Sequence, residues 1–249
     1  MRVDTDLQFL QYCDNEDLRT LCDILTFDNN GKIRFCESLS KSDNYRSCYP
    51  RNMVGMWKDL ACELQCYGGN TLSNLFRNGQ GPAYEQIVYD VCKRMRIKDI
   101  RKYDSAEDME QKLLLAVASK ALDELSEDDI RTIMNECHIH GYDYTKAGLL
   151  ALLVALREFN HRVFVIVVHT IMRMVGDVLL VRGAMVAGAG LMTRGAAFLC
   201  GPLGWLLLGG WTAWDIMGPA YRVTIPAIIQ VAYMRLKYQA KLKTNSACA

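Results

Sequence analysis

The chain has 249 residues, 51% of them hydrophobic and 23% charged, and its 29 basic and 28 acidic side chains leave a net charge of +1. These averages describe one large or two small globular domains and exclude a disordered chain, a collagen-like fibre and a polytopic transporter. The charge nevertheless separates along the chain: residues 1–145 hold 18 basic and 25 acidic side chains, whereas residues 146–249 hold 11 basic and 3 acidic (Glu158, Asp177 and Asp215). An acidic front of −7 precedes a hydrophobic back of +8, a pattern suited to facing a membrane or a partner. Two domains are expected, an acidic helical one over 1–145 and a hydrophobic, basic helical segment over 146–249.

The front reads as a run of short helices. Asp14 stands where a capping residue belongs, ahead of Leu18, Leu21, Cys22 and Leu25, whose spacing of three, four and seven marks one apolar helix face. Met53, Trp57, Leu60 and Leu64 repeat that pattern over 51–66, and Gly68-Gly69 supplies a stop. On this helix Cys62 and Cys66 share a face, a spacing that matches no zinc pattern. Pro82 suits a first helical turn before Tyr84, Ile87, Val88, Val91 and Met95. Lys93 to Lys102 then carries six basic residues around Asp99, read here as a solvated helix end and not as a nucleic-acid site. Ser105-x-x-Asp108 and Ser126-x-x-Asp129 are capping signals for two further helices. Cys137-His138-Ile139-His140 sets two imidazoles beside a thiol, again without metal-ligand spacing, and no convincing alternating strand run precedes Thr145.

In the back, Ala147 to Phe159 is helical in composition. His161 to Val168 is crowded with β-branched residues, and so short an apolar run fits a buried strand or a buried helix; helix is chosen because no sheet partner exists for a lone strand. Residues 176–218 hold ten of the chain's eighteen glycines among Ala, Leu, Met, Val, Phe and Trp. Each interior Gly costs a helix roughly 1 kcal/mol relative to Ala, so this density needs a compensating reason. Gly176, Gly183 and Gly190 recur at seven-residue intervals, as do Gly188 and Gly195, which lines small residues along a stripe where backbones pack closely. Gly195 to Trp214 is free of charge, but Gly201-Pro202 interrupts it, leaving Leu203 to Asp215 too short to span a bilayer. A helical hairpin is expected, out over Gly176 to Phe198 and back over Leu203 to Met217, with Gly204, Trp205, Leu207, Trp211 and Trp214 on the returning arm. Lipid or protein can bury it, and the sequence leaves both open. Pro226 is read as starting a last apolar helix whose basic end, Arg235, Lys237, Lys241 and Lys243, suits either anionic head groups or a solvated C-terminus.

Leu10-Gln11-Tyr12-Cys13, Glu63-Leu64-Gln65 with Gly68-Gly69, then Tyr84, Ile87, Asp90-Val91, Lys93-Arg94 and the string Tyr221-Arg222-Val223-Thr224-Ile225-Pro226-Ala227 resemble the YaaW family of bacterial proteins. The resemblance runs in order over most of the chain. It implies a helical fold, part of which has been likened to the ubiquinol-cytochrome c chaperone domain, and it supplies no catalytic residues. The Trp-rich apolar stretch from Gly195 to Trp214 is longer than that pattern.

Taken together, the expectation is an all-α multi-helix bundle that acts without catalysis, cofactor or metal. The ten cysteines and the polar start suggest reduced thiols and a cytoplasmic protein associated with the inner membrane. No phosphate-cradling loop, nucleophile elbow or paired-His helix is present, and Glu63, Asp90 and His138 are isolated titratable groups. Two functions remain: the acidic front holds a hairpin that enters membrane lipid, or the protein is a soluble assembly factor or chaperone-like helical protein whose hairpin is core or a homo-oligomer interface.

Overall fold

The computed structural model describes residues 4–28, 31–34, 37–68, 81–160, 162–171, 174 and 221–247. The expected hairpin residues Gly176, Gly183, Gly188, Gly190, Gly195, Gly201, Pro202, Gly204, Trp205, Leu207, Trp211 and Trp214 lie outside them. The fold is all-α; among the described residues the one β-type pairing is an isolated bridge between Phe27 and Ile33. The chain divides into two compact units, Met1–Glu110 with Ala213–Tyr238, and Gln111–Thr212 with Gln239–Ala249.

The first unit begins with a 3-10 helix, Thr5–Tyr12, and continues through α1 (Asn15–Thr26), α2 (Asp43–Cys48), α3 (Trp57–Gly68) and α4 (Tyr84–Arg94). The apolar spacing that announced α1 is the face it buries, with Leu18, Leu21, Cys22 and Leu25 at 0% exposure. Asp14 occupies its N-cap position but makes no side-chain cap bond. Pro82 stands outside α4, where its carbonyl accepts from Gln65 Nε2 at 2.9 Å. The approach is tight: a Cβ on Gly81 would sit 2.0 Å from the Gln65 carbonyl oxygen, so only glycine fits there.

The last helix, α9 (Tyr221–Ala247), belongs with these front helices as far as Tyr238. Its start corrects the sequence reading, because Pro226 lies inside the helix and not at its beginning. Interior proline costs roughly 3 kcal/mol. Against it, Val223, Ile225, Ile228, Ile229, Val231, Met234 and Leu236 are all buried, each contributing about 1.5–3 kcal/mol before ordering entropy. Packing therefore outweighs the lost backbone bond, and the helix is buried on every face from Val223 to Met234.

In the second unit, the later part of α5 (Ala106–Ala121) leads into a 3-10 turn, then α6 (Glu127–Glu136), α7 (Lys146–Phe159) and α8 (162–171). Ser126 and Asp129 form the reciprocal capping box that their spacing announced, and Ser105 Oγ accepts from Asp108 N at 3.1 Å. Thr145 Oγ1 caps α7 by accepting from Gly148 N at 3.1 Å. The β-branched stretch is helical, as expected, but Asn160 leaves helical geometry and separates it from α7; Asn160 Oδ1 then accepts from Val163 N at 3.2 Å. Ile130, Ile133, Met134, Leu149, Leu153, Phe164, Val167 and Val168 form the core of this unit.

Candidate functional site

Charge enters the interior of the first unit where α9 meets the front helices. Arg235 Nε donates to Glu110 Oε2 at 2.6 Å, and its Nη2 donates to the Asp6 carbonyl at 2.6 Å and to Glu110 Oε1 at 3.3 Å. The Tyr84 hydroxyl donates to Glu110 Oε1 at 2.5 Å. The guanidinium also lies 4.2 Å from the centre of the Phe9 ring, a cation–π contact in a site where Glu110 is 1% exposed and Tyr84 is 0% exposed. Burial pushes the Glu110 carboxyl above its usual range, with Arg235 and the Tyr84 hydrogen bond opposing the shift. Burial likewise works against the Arg235 cation, but Glu110 and Tyr84 outweigh it and raise its pKa. These two upward shifts favour opposite states of the pair; the short two-pronged geometry favours the ionised one.

A second tie lies two residues further along the helix, on Lys237, whose Nζ is 2.6 Å from Asp17 Oδ2 and 3.3 Å from Asp14 Oδ2. This explains why Asp14 does not cap α1: its carboxylate faces α9. Gln230 Nε2 donates to the Asp17 carbonyl at 3.1 Å, Thr224 Oγ1 donates to the Tyr67 carbonyl at 3.5 Å, and Arg94 lies 5.3 Å from the Tyr221 ring centre. Asp4 braces the same region from the N-terminal side. Its carboxylate accepts from Tyr84 N at 2.7 Å, serving as a remote cap for α4, whose own N-cap Ala83 has no side chain to do so.

Of the basic tail, Arg235 and Lys237 are therefore engaged within the fold, Lys241 is exposed, and the Lys243 side chain lies outside the described residues. Of the remaining titratable candidates, Glu63 and Asp90 are tied to neighbouring side chains. Glu63 is buried and accepts from both the backbone N–H and the hydroxyl of Ser38, Asp90 accepts from Gln86 Nε2 at 2.8 Å, and His138 is exposed at a backbone φ of 54°. Cys62 and Cys66 hydrogen-bond to each other across one helical turn, which lowers the Cys62 thiol to about 7. Among the described residues no group of three His, Cys, Asp or Glu is placed to hold a metal, and no helix is long and apolar enough to cross a membrane.

Sequence reasoning missed Glu110, Asp6, Asp17 and Asp4. One signal for Glu110 was present: it falls on the apolar stripe of α5 with Met109, Leu113, Leu114 and Val117, where a carboxylate requires a partner. The partner, 125 residues away, leaves no local trace.

A UPF0174 protein of Helicobacter pylori strain J99 is 34% identical over 243 residues, covering 96% of this chain and 93% of the relative. The chain belongs to the UPF0174, or YaaW, family. The family's YaaW protein from Escherichia coli K12 is 33% identical over 235 residues, covering 93% of this chain and 94% of its own length. Residues 1–35 match a model described as Domain of unknown function (DUF3944). That matched segment contains Asp4, Asp6, Asp14 and Asp17, so much of the grip on α9 lies within it. No solved structure matches the chain.

Proposed function

We propose that this chain is a non-enzymatic interaction protein whose apolar segment, residues 176–218, associates with membrane lipid while the acidic front holds the helix that follows it. The seating of α9 carries this reading. The helix begins three residues after that segment ends and is buried among the front helices, tied through Arg235 to Glu110 and through Lys237 to Asp14 and Asp17. So rigid an attachment suits a device that presents the neighbouring segment to another phase. The acids supporting this attachment are bonded to their own fold, which favours a structural role over catalysis. Flotation of the full-length protein with lipid vesicles tests the reading: the wild type is expected to float, and Leu207→Asp to remain with the lipid-free protein. Wild-type protein that never floats overturns it.

A protein partner is the second reading, favoured by α7, where Phe159 is 90% exposed and Val154 46% exposed on an otherwise apolar helix. On that reading the chain is an assembly factor, and a partner captured by wild type is lost on Phe159→Asp.

A further inference from the structure

The loop after α4 supplies none of the polar ties to α9 described above, yet it is built rather than loose. Met95 and Ile100 are buried at 5% and 8% exposure and pin the loop to the core. Ile97 N donates to the Cys92 carbonyl at 2.9 Å, and Asp104 N donates to the Arg101 carbonyl at 3.1 Å. Arg96 and Asp99 adopt left-handed backbone angles, φ 57° and 56°, conformations that non-glycine residues adopt at a cost. Around these pins Arg96, Lys98, Arg101 and Lys102 are exposed, and none forms an ion pair among the described residues. Beside them Tyr103 is 92% exposed. Lys93 and Arg94 bring the basic residues of 93–104 to six, against Asp99 and Asp104.

The place of this loop matters as much as its charge. Arg94, the last residue of α4, stacks on Tyr221, the first residue of α9, and the exposed Arg222 follows. The basic surface is thus fixed beside the point where the chain returns from its apolar segment. Solvated cations with a fully exposed tyrosine match the head-group layer of an anionic bilayer, where the charges attract lipid phosphates and the ring lies at the interface.

We propose that the loop of residues 95–103 is an anionic-lipid contact, with Arg96, Lys98, Arg101 and Lys102 as its phosphate-facing cations, set against the bilayer at the root of the apolar segment. The proposal rests on the membrane reading above and moves the head-group contact away from the basic tail, whose Arg235 and Lys237 are engaged inside the protein.

The test compares full-length wild type with the R96Q/K98Q/R101Q/K102Q variant on vesicles of phosphatidylcholine alone and of phosphatidylcholine with phosphatidylglycerol. Wild type is expected to prefer the anionic vesicles and to release them as salt rises, and the variant to lose at least about tenfold in affinity for them. The charge-keeping exchange R96K/K98R/R101K/K102R is expected to bind as wild type does. Equal binding by wild type and the glutamine variant, or binding of wild type that ignores salt, overturns the lipid contact; if Leu207→Asp still abolishes flotation, the membrane reading itself survives. Failure of wild type to bind either vesicle overturns both. A fluorescent oligonucleotide bound by wild type but not by the glutamine variant, with vesicle binding unchanged, reassigns the surface to nucleic acid and overturns the proposal.

Discussion

Arg235 and Lys237 in the second half of α9, and the run from Arg96 to Lys102, look alike as sequence: short basic stretches bordering apolar residues. Their surroundings differ. Arg235 is held against a carboxylate that is 1% exposed, and Lys237 against two aspartates, so both charges serve the fold. The loop cations face solvent without an ion pair among the described residues. A basic residue on a predicted helix is therefore uninformative about partners until its distance from the acidic residues of the same chain is known.

The largest test of this contrast removes one member of the buried pair. Glu110→Ala leaves the Arg235 cation without its carboxylate partner, which is expected to cost about 3–5 kcal/mol, whereas the paired change E110L/R235M strands no charge and is expected to cost less, about 1–3 kcal/mol, because the buried Tyr84 hydroxyl and the Asp6 carbonyl lose their partners. Denaturant unfolding of the three proteins measures both quantities. Similar losses for single and double variants would show that side-chain shape, and not charge pairing, holds α9.

A smaller effect follows from the buried and half-buried acids of the same unit. Burial raises the carboxyl pKa values of Asp6, Asp23 and Glu63 above those of an unfolded chain. Between the unfolded and the raised folded values the native state binds more protons than the unfolded state, so stability falls as pH rises through that window and levels off above it. The first unit is expected to resist urea better in mild acid than above neutrality, with Glu63→Gln flattening part of the slope. Stability that instead rises with pH would mean that the ion pairs at Arg235 and Lys237 dominate over desolvation.

Helix identities were readable because they depend on neighbours in sequence. The spacing of Leu18, Leu21, Cys22 and Leu25 gave α1, and Ser126 with Asp129 gave the start of α6. Errors arose where a distant contact decided the outcome. Asp14 has the chemistry of a cap but turns to Lys237, and Pro226 resembles a helix start but is carried inside α9 by the packing of the residues around it. The candidate site was less legible still, since Glu110, Asp6 and Arg235 meet only in three dimensions. Asn160 shows the same limit locally: composition made both neighbouring stretches helical, and only the backbone geometry of this one residue sets the break between α7 and α8.

The smallest expected effect is on the exposed side of the comparison, and its smallness is what makes it informative. Arg101 and Lys102 are exposed and form no ion pair among the described residues, so Arg101→Ala and Lys102→Ala remove no packing and strand no buried charge. Each is expected to shift stability by less than about 0.5 kcal/mol, within the range of ordinary surface substitutions. Thermal unfolding followed by circular dichroism suffices to check this. A loss above about 1 kcal/mol would mean that the loop cations are structural after all, like Arg235, and the distinction between the two basic regions would disappear.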